Sequence, residues 1–142
     1  MKIIDKEINL HLEKQFTPLK SEFEKLIKEE KLKNANLVCW IPHEVSSLVQ
    51  IGWENGLIED LESFLQDIVP PEKWIKHDEP EALFRKNFHQ HVRTKIVGSV
   101  SMTFVVKDSK LYLGKYQDIY FYSPVYKGIP NQKIFCRILK FN

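Results

Sequence analysis

The sequence predicts an α+β fold: a sandwich of antiparallel β-sheets with about three helices. Three observations carry this expectation. Alternating or continuous apolar runs of strand length open the chain and dominate its last third. Between them lie three stretches whose apolar residues recur every three or four positions, the period of a helix face. The 142-residue length and the 43% hydrophobic content suit one domain over residues 1–142, with enough apolar surface to bury a core.

The elements follow in order. In "EINLHL", Ile8, Leu10 and Leu12 alternate with Asn9 and His11, giving a half-buried strand with His11 on its solvated side. Thr17-Pro18 fits the cap and first position of a helix, with Leu19, Phe23, Leu26 and Ile27 as its apolar stripe. The charged "KEEKLK" reads as its solvated end. "NLVCWIP" is short and almost wholly apolar, as in a strand buried on both faces. "SSLVQI" predicts another strand. Asn55-Gly56 breaks the pattern, and Leu57, Ile58, Leu61, Leu65 and Ile68 then stripe a second helix that Pro70-Pro71 ends. Phe84, Phe88, Val92 and Ile96 stripe a third, with Asp78 as a possible cap and Gly98 just past its end. "SMTFVV", a turn at "KDSK", "LYLG", "DIYFY" and "KIFCRILKF" read as successive antiparallel strands.

Composition removes several functions. A formal charge of +2 argues against nucleic acid as a partner. No run is long and apolar enough to span a bilayer, and the charged N-terminus is no signal peptide. Two cysteines, Cys39 and Cys136, in apolar runs make neither a zinc motif nor a disulfide framework. They read as buried thiols of a cytoplasmic protein. Ser46 and Ser47 follow His43 without a triad motif and read as turn or strand-edge residues. Trp40, Trp53 and Trp74 read as core or interface residues. Tyr116, Tyr120, Phe121 and Tyr122 fall on both faces of one strand, as sheet packing or a subunit contact requires.

The histidines carry the candidate chemistry. His89 and His91 would share a face on a strand and could then grip one ion together. On a helix they point about 200° apart. The four-residue recurrence favours the helix, which sets His89 towards solvent and His91 beside the apolar stripe. Taken alone, His91 is better explained as a satisfied core-edge residue than as a ligand. His43 stands where a buried strand runs out, and His77 in the loop before the third helix. A strand end, a loop and a helix face can converge, and three imidazoles with an open position are a common catalytic zinc arrangement.

The segments "WIPHEVSSLVQIGWENG", "DIVP", "WIKHD", "NFHQHVRTKIVGS" and "LYLGKYQDIYF" also follow one another as in a known family. They resemble the YjbQ-like, or secondary thiamine-phosphate synthase, family, whose segments run pHTTAALTINENED, LvP, yxHD, NahaHlkasllG and kLxLGtWQqIxl. The resemblance implies a homotrimer of small α+β subunits. It also implies a divalent metal, expected to be zinc, on His43, His77 and His91, and a small phosphorylated molecule as substrate. Asn87, His89, Gln117 and Glu54 fall on further family positions and are expected to bind that substrate. The activity implied is thiamine phosphate synthesis, as a secondary activity, and no catalytic residue is assigned. The chain departs from the pattern where Glu44-Val45 replaces a hydroxyl pair, Ile51-Gly52 an Asn-Glu, and Tyr116 a Trp. A carboxylate at Glu44 would repel phosphate unless it turns away or helps bind the metal. A non-catalytic trimeric protein that binds a metal or small ligand in a diverged pocket is the alternative.

Overall fold

Two antiparallel sheets face each other across a hydrophobic core, as the sequence predicts. The computed structural model describes residues 1–71 and 87–142. Sheet one holds β1 (Lys2–His11), β8 (Asn131–Lys140), β3 (Ala35–Trp40), β5 (Ser101–Lys107) and β6 (Lys110–Leu111) in that order. Sheet two holds β2 (Phe16–Pro18), β7 (Gln117–Tyr122) and β4 (Ser47–Gly52). Three helices complete the described residues: α1 (Lys20–Glu29), α2 (Leu57–Ile68) and α3 (Phe88–Val97). Every strand pair is antiparallel. The C-terminal strands are not neighbours in turn, however. Only β5 and β6 pair directly; β7 joins β2 and β4, and β8 is inserted between β1 and β3.

The main core lies between the sheets. Leu37 and Cys39 of β3, Phe104 and Val106 of β5, and Ile134, Cys136 and Ile138 of β8 meet α1 through Phe23, Leu26 and Ile27. Sheet two contributes Leu48, Ile119 and Phe121. Its other side forms a second cluster, where Phe16, Val49, Tyr120 and Tyr122 pack against Leu65 of α2. The phase change along Ile119, Tyr120, Phe121 and Tyr122 is therefore a strand buried on both sides. Phe16 and Tyr122 stack with ring centres 4.3 Å apart.

Cys39 and Cys136 are register partners on β3 and β8, and both are free thiols with no exposed surface. Their sulfurs lie 3.5 Å apart. Contact with Cys136, and then burial, push the Cys39 thiol far up, so it stays protonated.

Three expectations are corrected. Thr17 and Pro18 belong to β2, so α1 starts at Lys20 with no side-chain cap; pairing with Tyr120 and Phe121 outcompetes the local cap signal. β3 is central but not buried on both faces, since Asn36 and Val38 are half-buried and Trp40 is exposed. The face of α3 that is fully buried carries Arg93 and Thr94, while Ile96 of the expected stripe is 53% exposed. Arg93 is buried because Nε and Nη2 both donate to the Val69 carbonyl at the end of α2, at 3.1 and 2.8 Å. Gly98 directly follows α3, as expected, in extended backbone. It is needed for space, because a Cβ there would lie 2.4 Å from the Leu48 carbonyl oxygen. The suggested cap Asp78, the residue Phe84, and Trp74 lie outside the described residues.

Candidate functional site

The Leu48–Ser99 bridge places α3 against the start of β4. Its two backbone bonds run from Leu48 N to Ser99 O at 2.7 Å and from Ser99 N to Leu48 O at 3.0 Å. The turn after β3 carries His43, Glu44 and Val45 to the same place. Glu44 there faces α3. Its Oε1 is 3.5 Å from His91 Nδ1 and 3.3 Å from Lys95 Nζ, and Lys95 also donates to the Glu44 backbone carbonyl at 2.8 Å. Desolvation alone would raise the Glu44 carboxyl. The Lys95 contact, and then His91, outweigh it and hold the carboxyl below its usual range. The carboxylate that would have repelled a phosphate is thus turned onto two cationic or protonatable partners. It also favours the His91 tautomer with hydrogen on Nδ1, which leaves the lone pair on Nε2, an atom enclosed by protein.

His43 is held differently. The last β3–β8 pair is Trp40 with Phe135. Beyond it β3 turns away, and the His43 ring replaces the missing strand: Nε2 accepts the Lys133 N–H at 3.0 Å. A ring nitrogen that accepts carries no hydrogen, so neutral His43 is protonated on Nδ1. Burial, and then the Lys133 charge, lower the His43 pKa and keep it in that neutral form. In this orientation His43 is a hydrogen-bond donor from Nδ1, and ligating a metal requires its ring to release Lys133. Among the described residues, no three His, Cys, Asp or Glu side chains are grouped to hold one ion.

His89 and His91 do stand on a helix and diverge. His89 is half-buried, not turned to solvent as the sequence predicts, with Nδ1 enclosed. Asn87 is the residue before α3, buried at 8% exposure, and its carbonyl accepts from the Gln90 and His91 amides. His77 lies outside the described residues. Gln117 and Glu54 are elsewhere. Gln117 pairs with Gly52 at one end of the β4–β7 ladder, and Glu54 follows that end. Ser47, next to the His43–Glu44 turn, pairs with Tyr122 at the other. Five strand steps of about 3.4 Å put these ends about 17 Å apart within the subunit. Gln117 Oε1 accepts the Gly114 amide at 2.8 Å and so shapes its own turn. His11 keeps its place on the polar side of β1, with Nδ1 2.8 Å from the side-chain Oδ1 of Asn131.

One part of the site was not foreseen. Ser46 donates to Gln132 Oε1, and Gln132 Nε2 donates to Ser123 Oγ at 2.8 Å and to the Ile129 carbonyl at 2.9 Å. Ser46, Ser123 and Gln132 are all buried. Ser46 does follow the Glu44–Val45 turn and Ser47 does open the edge strand β4, as expected, but both are buried. The signal was present: Gln132 occupies the same strand phase as Ile134, Cys136 and Ile138, the buried face of β8. A glutamine in that phase needs buried partners.

The UPF0047 protein YjbQ-like family matches residues 6–140 of this chain. A UPF0047 protein of Archaeoglobus fulgidus is 33% identical over 85 residues, 60% of this chain and 64% of that protein. A UPF0047 protein of Methanocaldococcus jannaschii is 28% identical over 96 residues, 67% of this chain and again 64% of the relative. The aligned stretch thus falls short of two thirds of either relative's length. A YbjQ-like protein of unknown function from Sulfolobus solfataricus superposes with a TM-score of 0.81 at 21% identity, over 99% of both chains. A YjbQ/UPF0047 protein from Clostridium acetobutylicum gives 0.78 at 24% identity, over 94% of this chain and 98% of the other. At such identities these structures speak for the fold. The family match takes in all but the ends of the sequence, so the chain belongs to the UPF0047 YjbQ-like family.

Proposed function

We propose that the chain is a metal-dependent protein that acts on a phosphate-bearing small molecule, with thiamine phosphate formation as a secondary, synthase-like activity. The observation that supports this reading best is the Glu44–His91 pair. A carboxylate facing Nδ1 fixes the tautomer and orientation of an imidazole whose Nε2 is the ligating atom, as second-shell carboxylates do at histidine metal sites. The proposed ion is divalent, with zinc favoured by imidazole ligands. His91 is its best-oriented ligand. His77 and His43 would complete the set, His43 by exchanging the Lys133 amide for the ion. Held there, such an ion would supply Lewis acidity towards a phosphate oxygen or a water. The chain's own contribution is to hold His91, neutralise Glu44 through Lys95, and place Asn87 and His89 beside the substrate. We further propose that the subunits form a homotrimer. Ile3, Trp40 and Val105 lie exposed on the outer face of sheet one and offer apolar surface for it.

The test is zinc titration calorimetry on the wild type, His91→Ala and His43→Ala, followed by a thiamine phosphate assay on the zinc-loaded protein. Wild type binds zinc, His91→Ala does not, and His43→Ala binds it more weakly. Unchanged zinc affinity in His91→Ala overturns the metal reading. The second reading, a non-catalytic trimeric binder, is favoured by Val45, an apolar residue where the family pattern has a hydroxyl. It predicts zinc or anion binding with no thiamine phosphate above a heat-killed control.

A further inference from the structure

Beside the Glu44–His91 pair lies a cavity of about 560 Å³. This volume lies in the range of small-molecule sites. Its apolar walls are Val45, Pro124, Val125 and Ile129. Among the described residues its polar side chains are few: Asn87 and Gln90 from the start of α3, and Lys127. We propose that this cavity is the substrate-body subsite, and that it selects an organic phosphate whose uncharged, apolar body fills it while Lys127 pairs with the anionic group. The proposal rests on the phosphate reading above and specifies its ligand.

Three features support a built pocket. First, its walls are tied together from behind by one buried side chain. Gln132 bonds Ser46, the neighbour of Val45; Ser123, the neighbour of Pro124; and the Ile129 carbonyl. Second, α3 is locked to the same wall, because Gln90 Nε2 donates to the Pro124 carbonyl at 3.3 Å. A cavity with walls cross-linked in this way needs little ordering on binding. Third, among the described residues Lys127 is the one cation on its lining, and it comes from the loop that also supplies Val125 and Ile129. Val45 gives the position its meaning: a hydroxyl there would welcome a polar group, whereas valine rejects one by leaving it unpaired.

The probe is phenyl phosphate against inorganic phosphate, measured by calorimetry on the full chain without added metal. The expected result is that phenyl phosphate binds at least tenfold more tightly. Ile129→Ser, at a site 43% exposed and so tolerant of change, weakens phenyl phosphate about tenfold and leaves inorganic phosphate unaltered. Lys127→Gln weakens both. Equal affinity for the two probes, or an Ile129→Ser protein that binds phenyl phosphate as the wild type does, overturns the proposal. Circular dichroism of each variant guards against unfolding. Zinc titration of the same samples separates this inference from the metal reading. Probe discrimination without zinc uptake removes the metal alone, and zinc uptake without discrimination removes the subsite alone.

Discussion

Gly98→Ala tests how α3 is fixed to the sheet, and its cost can be worked from the structure. The added Cβ would lie 2.4 Å from the Leu48 carbonyl oxygen, 2.8 Å from Ser47 Oγ and 2.9 Å from Val49 Cγ2. Ordinary contact begins at 3.4 Å, so the backbones must part by about 1 Å. Both bonds of the Leu48–Ser99 bridge run across that gap, at 2.7 and 3.0 Å, and neither survives such a movement. Losing them costs about 1 kcal/mol each, and overpacking adds about 1–3 kcal/mol. The sum is about 3–5 kcal/mol, a large share of a stability of about 5–15 kcal/mol. In urea, with a slope of about 2 kcal/mol/M, the midpoint should fall by about 1.5–2.5 M with the slope unchanged. Gly128→Ala is the control, since its Cβ would meet nothing nearer than 3.8 Å. A Gly98→Ala midpoint within the error of that control would refute the close-approach argument.

Other consequences follow from the same geometry. Gln132→Ala strands Ser46, Ser123 and the Ile129 carbonyl, and should cost about 2–4 kcal/mol in urea denaturation. Glu44→Gln keeps the shape but weakens the hold on His91, so zinc affinity should drop about 10–100-fold by calorimetry. Burial pushes the Tyr122 hydroxyl up to about 12, with Glu62 adding to it and Arg93 opposing it. Above pH 10 the unfolded chain releases this proton first, so stability falls as pH rises from about 10 to 12. Tyr122→Phe should remove that part of the slope in denaturation curves. Hydrogen bonding to Arg137 holds the Asp5 carboxyl below 3.8, against a smaller desolvation effect. Its contribution is present above that value and lost as pH falls through the folded pKa, so Asp5→Asn and wild type should converge in strong acid.

The strands were legible because apolar phase is a local signal that burial then uses. Ile8 and Leu10, Leu37 and Cys39, and Ile134 to Ile138 all face the core as their alternation requires. Sheet membership was not legible, because nothing local tells β7 to join β2 and β4, or β8 to lie between β1 and β3. The helix periods were clear for α1, where Phe23, Leu26 and Ile27 are buried. They misled for α3, where the two hydrogen bonds from Arg93 to the Val69 carbonyl bury a charged residue ahead of Ile96. Those bonds join residues remote in sequence. Of the site, the sequence marked His43, His91 and Asn87 by position. It gave no hint that His43 would cap a β8 amide or that Glu44 would be neutralised by Lys95, since both depend on how the turn after β3 meets other elements.

The most direct test of the functional account is the zinc K-edge X-ray absorption spectrum of the zinc-loaded protein. The account predicts outer-shell imidazole scattering in the wild type and loss of bound zinc, or of one imidazole, in His91→Ala. A wild-type spectrum with oxygen ligands only, or one that His91→Ala leaves unchanged, would contradict it.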